Sequence, residues 1–225
     1  MGKNSRRRRR RRKREQDTRA LALVGGTGVW RVSLQVQELE MAKGYDGLLR
    51  GMPEATLLVG LYRVGPAHAR LVGRYLYRFE RPSEFPTKVG PREASNESLA
   101  VPLPRGTRLA MLVLAVEEDS GRGLQSLFAA LEPGDAVVAW GDQGLEPAHL
   151  SELCGAGLPA DTAHRVHLLL GEHDPSRDLA GDDWIGASLL WTEPAIRRYA
   201  HRLCFVSADG RNDWTATVEL GLRGA

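Results

Sequence analysis

An all-β fold, an antiparallel sandwich of eight or nine strands, is what this sequence predicts. Three observations predict it. Short segments alternate apolar and polar residues, the period of a half-buried strand. Turn signals such as Gly65-Pro66 separate them. Helical patterning is brief and confined to one Gly-rich stretch, 120–162.

The elements follow in order. Trp30, Val32, Leu34 and Val36 alternate with Arg31, Ser33, Gln35 and Gln37, a first strand. Residues 57–64 form a second. Residues 70–80 form a third, with Leu71, Tyr75, Tyr77 and Phe79 on one face. The other face carries Arg70, Arg74 and Arg78 beside Val72 and Leu76. Residues 81–96, rich in Pro, Ser and Glu, read as a loop, and 98–103 as a short edge strand. Residues 109–116 are apolar at every position, as a central strand covered on both faces would be. Segments 124–131 and 147–153 read as short helices inside an insertion spanning 120–162. Strand patterns resume at 166–170, 185–191, 202–207 and 214–222. The last places Trp214, Ala216, Val218 and Leu220 inward. One domain, 30–222, is expected behind an N-terminal arm and linker, 1–29.

Charge divides the chain. Residues 1–19 hold eleven Lys or Arg against two acids, including Arg6, Arg7, Arg8, Arg9, Arg10, Arg11 and Arg12 in succession. The remaining 206 residues hold twenty against twenty-six. A like-charge block of this density repels itself, so a solvated, disordered arm is expected, with polyanions as its partners. Those are an anionic membrane, nucleic acid or an acidic protein. The apolar stretch 20–30 does not read as an export signal, and no run approaches the ~18 apolar residues of a membrane span. Cys154 and Cys204 form no disulfide framework, which fits a reducing compartment. The expected location is the cytoplasm, at or near a membrane periphery.

The densest acids are Glu172, Asp174, Asp178, Asp182 and Asp183. Carboxylates this close repel unless water or a cation relieves them, and Ca²⁺ takes six to eight such oxygens. A solvated turn uses the same residue types. The succession of strand, acid-x-acid, polar loop, Asp-Asp-aromatic-Ile-Gly and strand resembles the third calcium-binding loop of C2-type domains. Those are eight-stranded antiparallel sandwiches, many of which bind phospholipid through calcium. The resemblance covers roughly 30–117 and 164–222. It implies that Glu172, Asp174 and Asp183 ligate metal, with Asp46 and Glu54 near the first-loop acids. It also implies an anion-binding role for the Arg70, Arg74, Arg78 row, toward phosphoinositide headgroups. The loop is about three residues longer than the family's, and Glu stands for Asp at 54 and 172.

Strand parity bears on the site. With strands running alternately up and down, loops 39–53, 81–96 and 172–184 share one end, and Glu117, Glu118 and Asp119 lie at the other. If 98–103 is a full strand, those three acids join instead. The first arrangement is the expectation.

Other constellations carry less. Gly25 to Gly28 lack the strand-turn-helix setting of a phosphate loop. His164 and His167, three apart on a strand, would face opposite ways and make a poor zinc set with His173. No nucleophile elbow appears. The expectation is a non-enzymatic C2-like module on an anionic membrane, with Ca²⁺ at the acidic loop. The alternative is an assembly module whose arm binds nucleic acid or an acidic protein without metal.

Overall fold

The computed structural model describes residues 28–44, 51–66, 68–93, 97–131, 133, 137–139, 160–170, 181–192 and 198–224. They form two antiparallel sheets. The strands are β1 (Gly28–Lys43), β2 (Ala55–Val64), β3 (His68–Arg78), β4 (Thr87–Val89), β5 (Glu97–Leu103), β6 (Arg108–Glu117), β7 (Val137–Ala139), β8 (Asp183–Thr192), β9 (Arg198–Val206) and β10 (Asp213–Gly224). Among the described residues two helices, α1 (Arg122–Ala130) and α2 (Ala160–Leu170), fall between β6 and β8. Sheet A runs β4-β1-β10-β9, with β5 on the same edge of β1 as β4; sheet B runs β7-β3-β2-β6-β8. Eight of these strands have seven residues or more, and β4 and β7 are three-residue additions. The expected antiparallel β-sandwich of eight or nine strands fits this architecture, with the two short strands added.

Alternation explains sheet A. In β10, Trp214, Ala216, Val218, Leu220 and Leu222 are buried. In β1, Val32, Leu34 and Val36 point inward, then Leu39 and Met41 do. The phase changes because a bulge between Val36 and Glu38 inserts one residue. It carries the strand on to Lys43, well past the last position that simple alternation reveals.

Sheet B is covered on both faces. Leu57, Val59, Leu61, Leu109, Met111 and Val113 meet sheet A in the main core. Leu58, Tyr62, Leu112, Leu114 and Val116 meet Leu124 and Leu127 of α1 and Val166, Leu169 and Leu170 of α2. The uniformly apolar run at 109–116 follows from this double cover.

Residues 166–170 are helical, not a strand. A short apolar run has no periodicity of its own, and here the spacing of Val166, Leu169 and Leu170 puts a helical stripe onto sheet B. The Tyr62 hydroxyl donates to the Leu169 carbonyl at 3.1 Å. His164 and His167 therefore lie three apart on a helix and share a side. The helix expected at 147–153 and the arm, with Arg6 to Arg12, lie outside the described residues.

Candidate functional site

Strand direction decides which loops meet. The turn at residues 104–107, closed by the Thr107 N–H to Pro104 carbonyl bond at 3.1 Å, puts the start of β6 beside the end of β5. Because β5 is a full seven-residue strand paired along β1, parity takes the second arrangement. Glu117 stands opposite Ala55 on one side and Asp183 on the other. Glu117, Glu118 and Asp119 thus join Glu54, Asp182 and Asp183 at one acidic end, correcting the first arrangement.

Most of these carboxylates are engaged by the protein itself. Asp182, only 7% exposed, holds the start of α1. Its Oδ1 accepts from the Ser120 N–H at 2.8 Å, the Ser120 hydroxyl at 3.2 Å and the Gly121 N–H at 3.3 Å. Its Oδ2 accepts from the Leu124 N–H at 3.2 Å. The first amides of a helix lack intrahelical partners, and a carboxylate there also meets the positive end of the macrodipole.

Glu118 is bidentate with Arg78: Nε to Oε2 at 2.8 Å and Nη2 to Oε1 at 2.7 Å. The Thr56 hydroxyl adds a third bond at 2.9 Å. The hydrogen bond that Arg78 donates to Glu118 is the main cause that raises the Arg78 pKa above its ordinary value, against a smaller opposing effect of burial. Gly121, at φ 67°, lets the chain turn beneath this pair; a Cβ there would meet Glu118 Oε1 at 2.6 Å. Glu54 pairs with Arg81, and its own N–H donates to the fully buried Glu117 at 3.2 Å.

The arginine row is divided. The β2–β3 register shifts between Leu61 and Tyr62, so Val72 is an extra residue in β3. Ala69 and Leu71 consequently face the helices, as Leu76 does, while Tyr75, Tyr77 and Phe79 face sheet A. Arg70 falls on the opposite face from Arg74 and Arg78, where with Arg63, Val72 and Pro102 it lines a cavity of about 330 Å³. Arg74 grips the last turn of α1, donating to the carbonyls of Phe128, of Ala129 at 2.9 Å and of Leu131 at 3.0 Å. Its guanidinium lies 4.3 Å from the Phe128 ring centre. A cation at the negative end of the helix dipole is a favourable arrangement.

For calcium, Asp46, Glu172 and Asp174 lie outside the described residues. Glu54 and Asp183 reach the same end, but Glu54 is held by Arg81. Asp183 is exposed. Among the described residues, no three His, Cys, Asp or Glu side chains stand together as a ligand set. The element leading into the acidic loop is α2 rather than a strand, so the loop departs from the C2-type pattern at its entrance. Glu54 and Asp183, the two described members, do not by themselves make a calcium shell.

Sequence reading passed over Asp182 and Glu118 as structural anchors. Their partners lie 40 to 62 positions away, and such contacts have no local signature. Among the described residues no helix is long and apolar enough to cross a membrane.

No protein-family model matches the chain, and no curated relative matches either. Among solved structures, human GIVD cytosolic phospholipase A2 aligns in two complexes. One is a complex with methyl gamma-linolenyl fluorophosphonate, the other a complex with that inhibitor and terbium chloride. Each gives a TM-score of 0.41 at 10% identity, covering 88% of this chain but 18% of that one. A likeness at this level assigns no activity, and the chain spans under a fifth of that protein's length.

Proposed function

We propose that this chain is a non-enzymatic C2-like sandwich module that binds an anionic phospholipid surface, with Arg6 to Arg12 as its electrostatic capture element. The observation that carries this reading is the charge division joined to the direction of β1. The basic segment leads into β1 at Gly28, and β1 runs sixteen residues to the acidic end. At a rise of ~3.4 Å per residue, its two ends are about 50 Å apart. The arm therefore enters the fold far from the carboxylates that would most readily neutralise it. Each basic residue near an anionic leaflet contributes about 1 kcal/mol before screening, so nine net charges matter without a shaped pocket.

Cosedimentation of the full chain with phosphatidylserine-containing vesicles, in chelator and in calcium, tests the proposal. Binding that falls steeply with salt and on replacing Arg6 to Arg12 with Gln is expected. No binding in either condition would overturn it. Tighter binding to duplex DNA than to vesicles at the same salt would favour the nucleic-acid alternative. Calcium at Glu172, Asp174, Asp183, Asp46 and Glu54 is a separate proposal. A calorimetric calcium heat lost in Asp174→Asn with Asp183→Asn would support it, and no heat in the parent would remove it.

A further inference from the structure

We infer that the end of the sandwich where β1 begins, rather than the acidic end, is the face that meets the anionic bilayer. This rests on the phospholipid reading above and adds to it an orientation and the residues that set it. Arg31 and Arg223 stand directly opposite each other across β1 and β10, both exposed. Like charges in that relation repel, and neither makes an ion pair or hydrogen bond with the described residues. A fold gains nothing from this pair, whereas a phosphate layer neutralises both.

The same end carries more cations. Arg105 is exposed in the β5–β6 turn, and Arg108 is exposed at the start of β6. Arg63 reaches across from sheet B and donates to the Pro102 carbonyl at 3.2 Å. Among the described residues, the acid at this end is Asp161, in the first turn of α2.

One apolar feature selects a bilayer over a nucleic acid. Val29 is the exposed large hydrophobic among the described residues, at 47%. It pairs with Pro102 and lies between the arm and Arg31. The neighbouring Trp30 is half-buried and packs on the core. An exposed apolar side chain at an end rich in guanidiniums fits a headgroup boundary, where the charges meet phosphate and the apolar group meets the acyl region. Phosphodiester backbones reward the arginines but not the valine.

The test uses the full chain on phosphatidylcholine vesicles with and without phosphatidylserine, in chelator. Arg31→Gln, Arg105→Gln and Arg223→Gln together should weaken binding to the anionic vesicles by roughly fivefold per charge. Thermal stability should be undiminished, because the Arg31–Arg223 repulsion is removed. Val29→Ser should weaken binding further. A charge-matched variant at the other end, Arg81→Gln with Arg122→Gln and Arg211→Gln, should lose much less. Equal losses in the two triple variants would mean that net charge alone acts, and would overturn the orientation while the phospholipid reading stands. A parent chain that ignores anionic vesicles would overturn both. Tighter binding to duplex DNA at the same salt would overturn the choice of partner.

Discussion

At the acidic end, carboxylates that look available in the sequence hold the molecule together: Asp182 holds α1, Glu118 holds Arg78, and Glu54 holds Arg81. At the opposite end, Arg31 and Arg223 face each other with no acid between them. Charge density along a chain is thus a poor guide to charge a ligand can use. What matters is whether the fold has already supplied the counter-charge. A carboxylate bound by its own protein acts as structure, and a guanidinium left facing its like acts as surface.

The contrast can be broken first at Asp182. Asp182→Ala leaves the Ser120, Gly121 and Leu124 amides without their acceptor. The expected cost is about 3 kcal/mol, lowering the melting temperature by roughly 10 °C in a scanning calorimeter. Vesicle binding by the folded fraction should be unchanged. A variant as stable as the parent would show that the acidic end is not structural.

A smaller effect is expected at the bidentate pair. Arg78→Met should destabilise by about 2 kcal/mol, because it leaves a nearly buried Glu118 carboxylate with only Thr56. In denaturant titrations, Arg78→Met with Glu118→Gln should cost less than the sum of the single changes. Additivity would mean that the two side chains do not act together.

The smallest effect sharpens the comparison through pH. Asp209, in the β9–β10 turn at the acidic end, accepts from the Ser207 hydroxyl at 2.6 Å and the Arg211 N–H at 3.0 Å. The Ser207 bond is the chief cause that lowers its pKa below the ordinary aspartate value. A depressed folded-state pKa adds stability that is present above the unfolded value and lost as pH falls through the folded one. The side chain is largely exposed, so screening keeps the effect small. Asp209→Asn should lower the melting temperature by under about 2 °C at neutral pH. That difference should vanish in acid, below the ordinary aspartate range. A difference that persists there would assign the effect to turn geometry instead of charge.

The sandwich was legible wherever alternation ran undisturbed, as in β10. It was obscured where one inserted residue moved the phase. The bulge in β1 hid Leu39 and Met41, and the extra Val72 in β3 turned Arg70 away from Arg74 and Arg78. The run Leu168, Leu169, Leu170 could not be told from a buried strand, because identical apolar residues carry no period. The position of Glu117 depended on whether 98–103 was a full strand, which a pattern interrupted by Pro102 does not decide. The acids of the candidate metal set were visible as types. Their engagement was not, because Arg81 and Glu54 or Arg78 and Glu118 lie 27 and 40 positions apart.

The placement of β1 has a mechanical consequence. It is paired with β10 on one side and with β5 and β4 on the other, and it begins where the arginine arm joins. If the arm is held on a surface, tension enters at Gly28 along the strand axis. To slide out, β1 must shear its ladder bonds to both neighbours together instead of unzipping them singly. The basic segment is thereby attached to the interior of a sheet, and its pull is distributed along the strand that spans the domain.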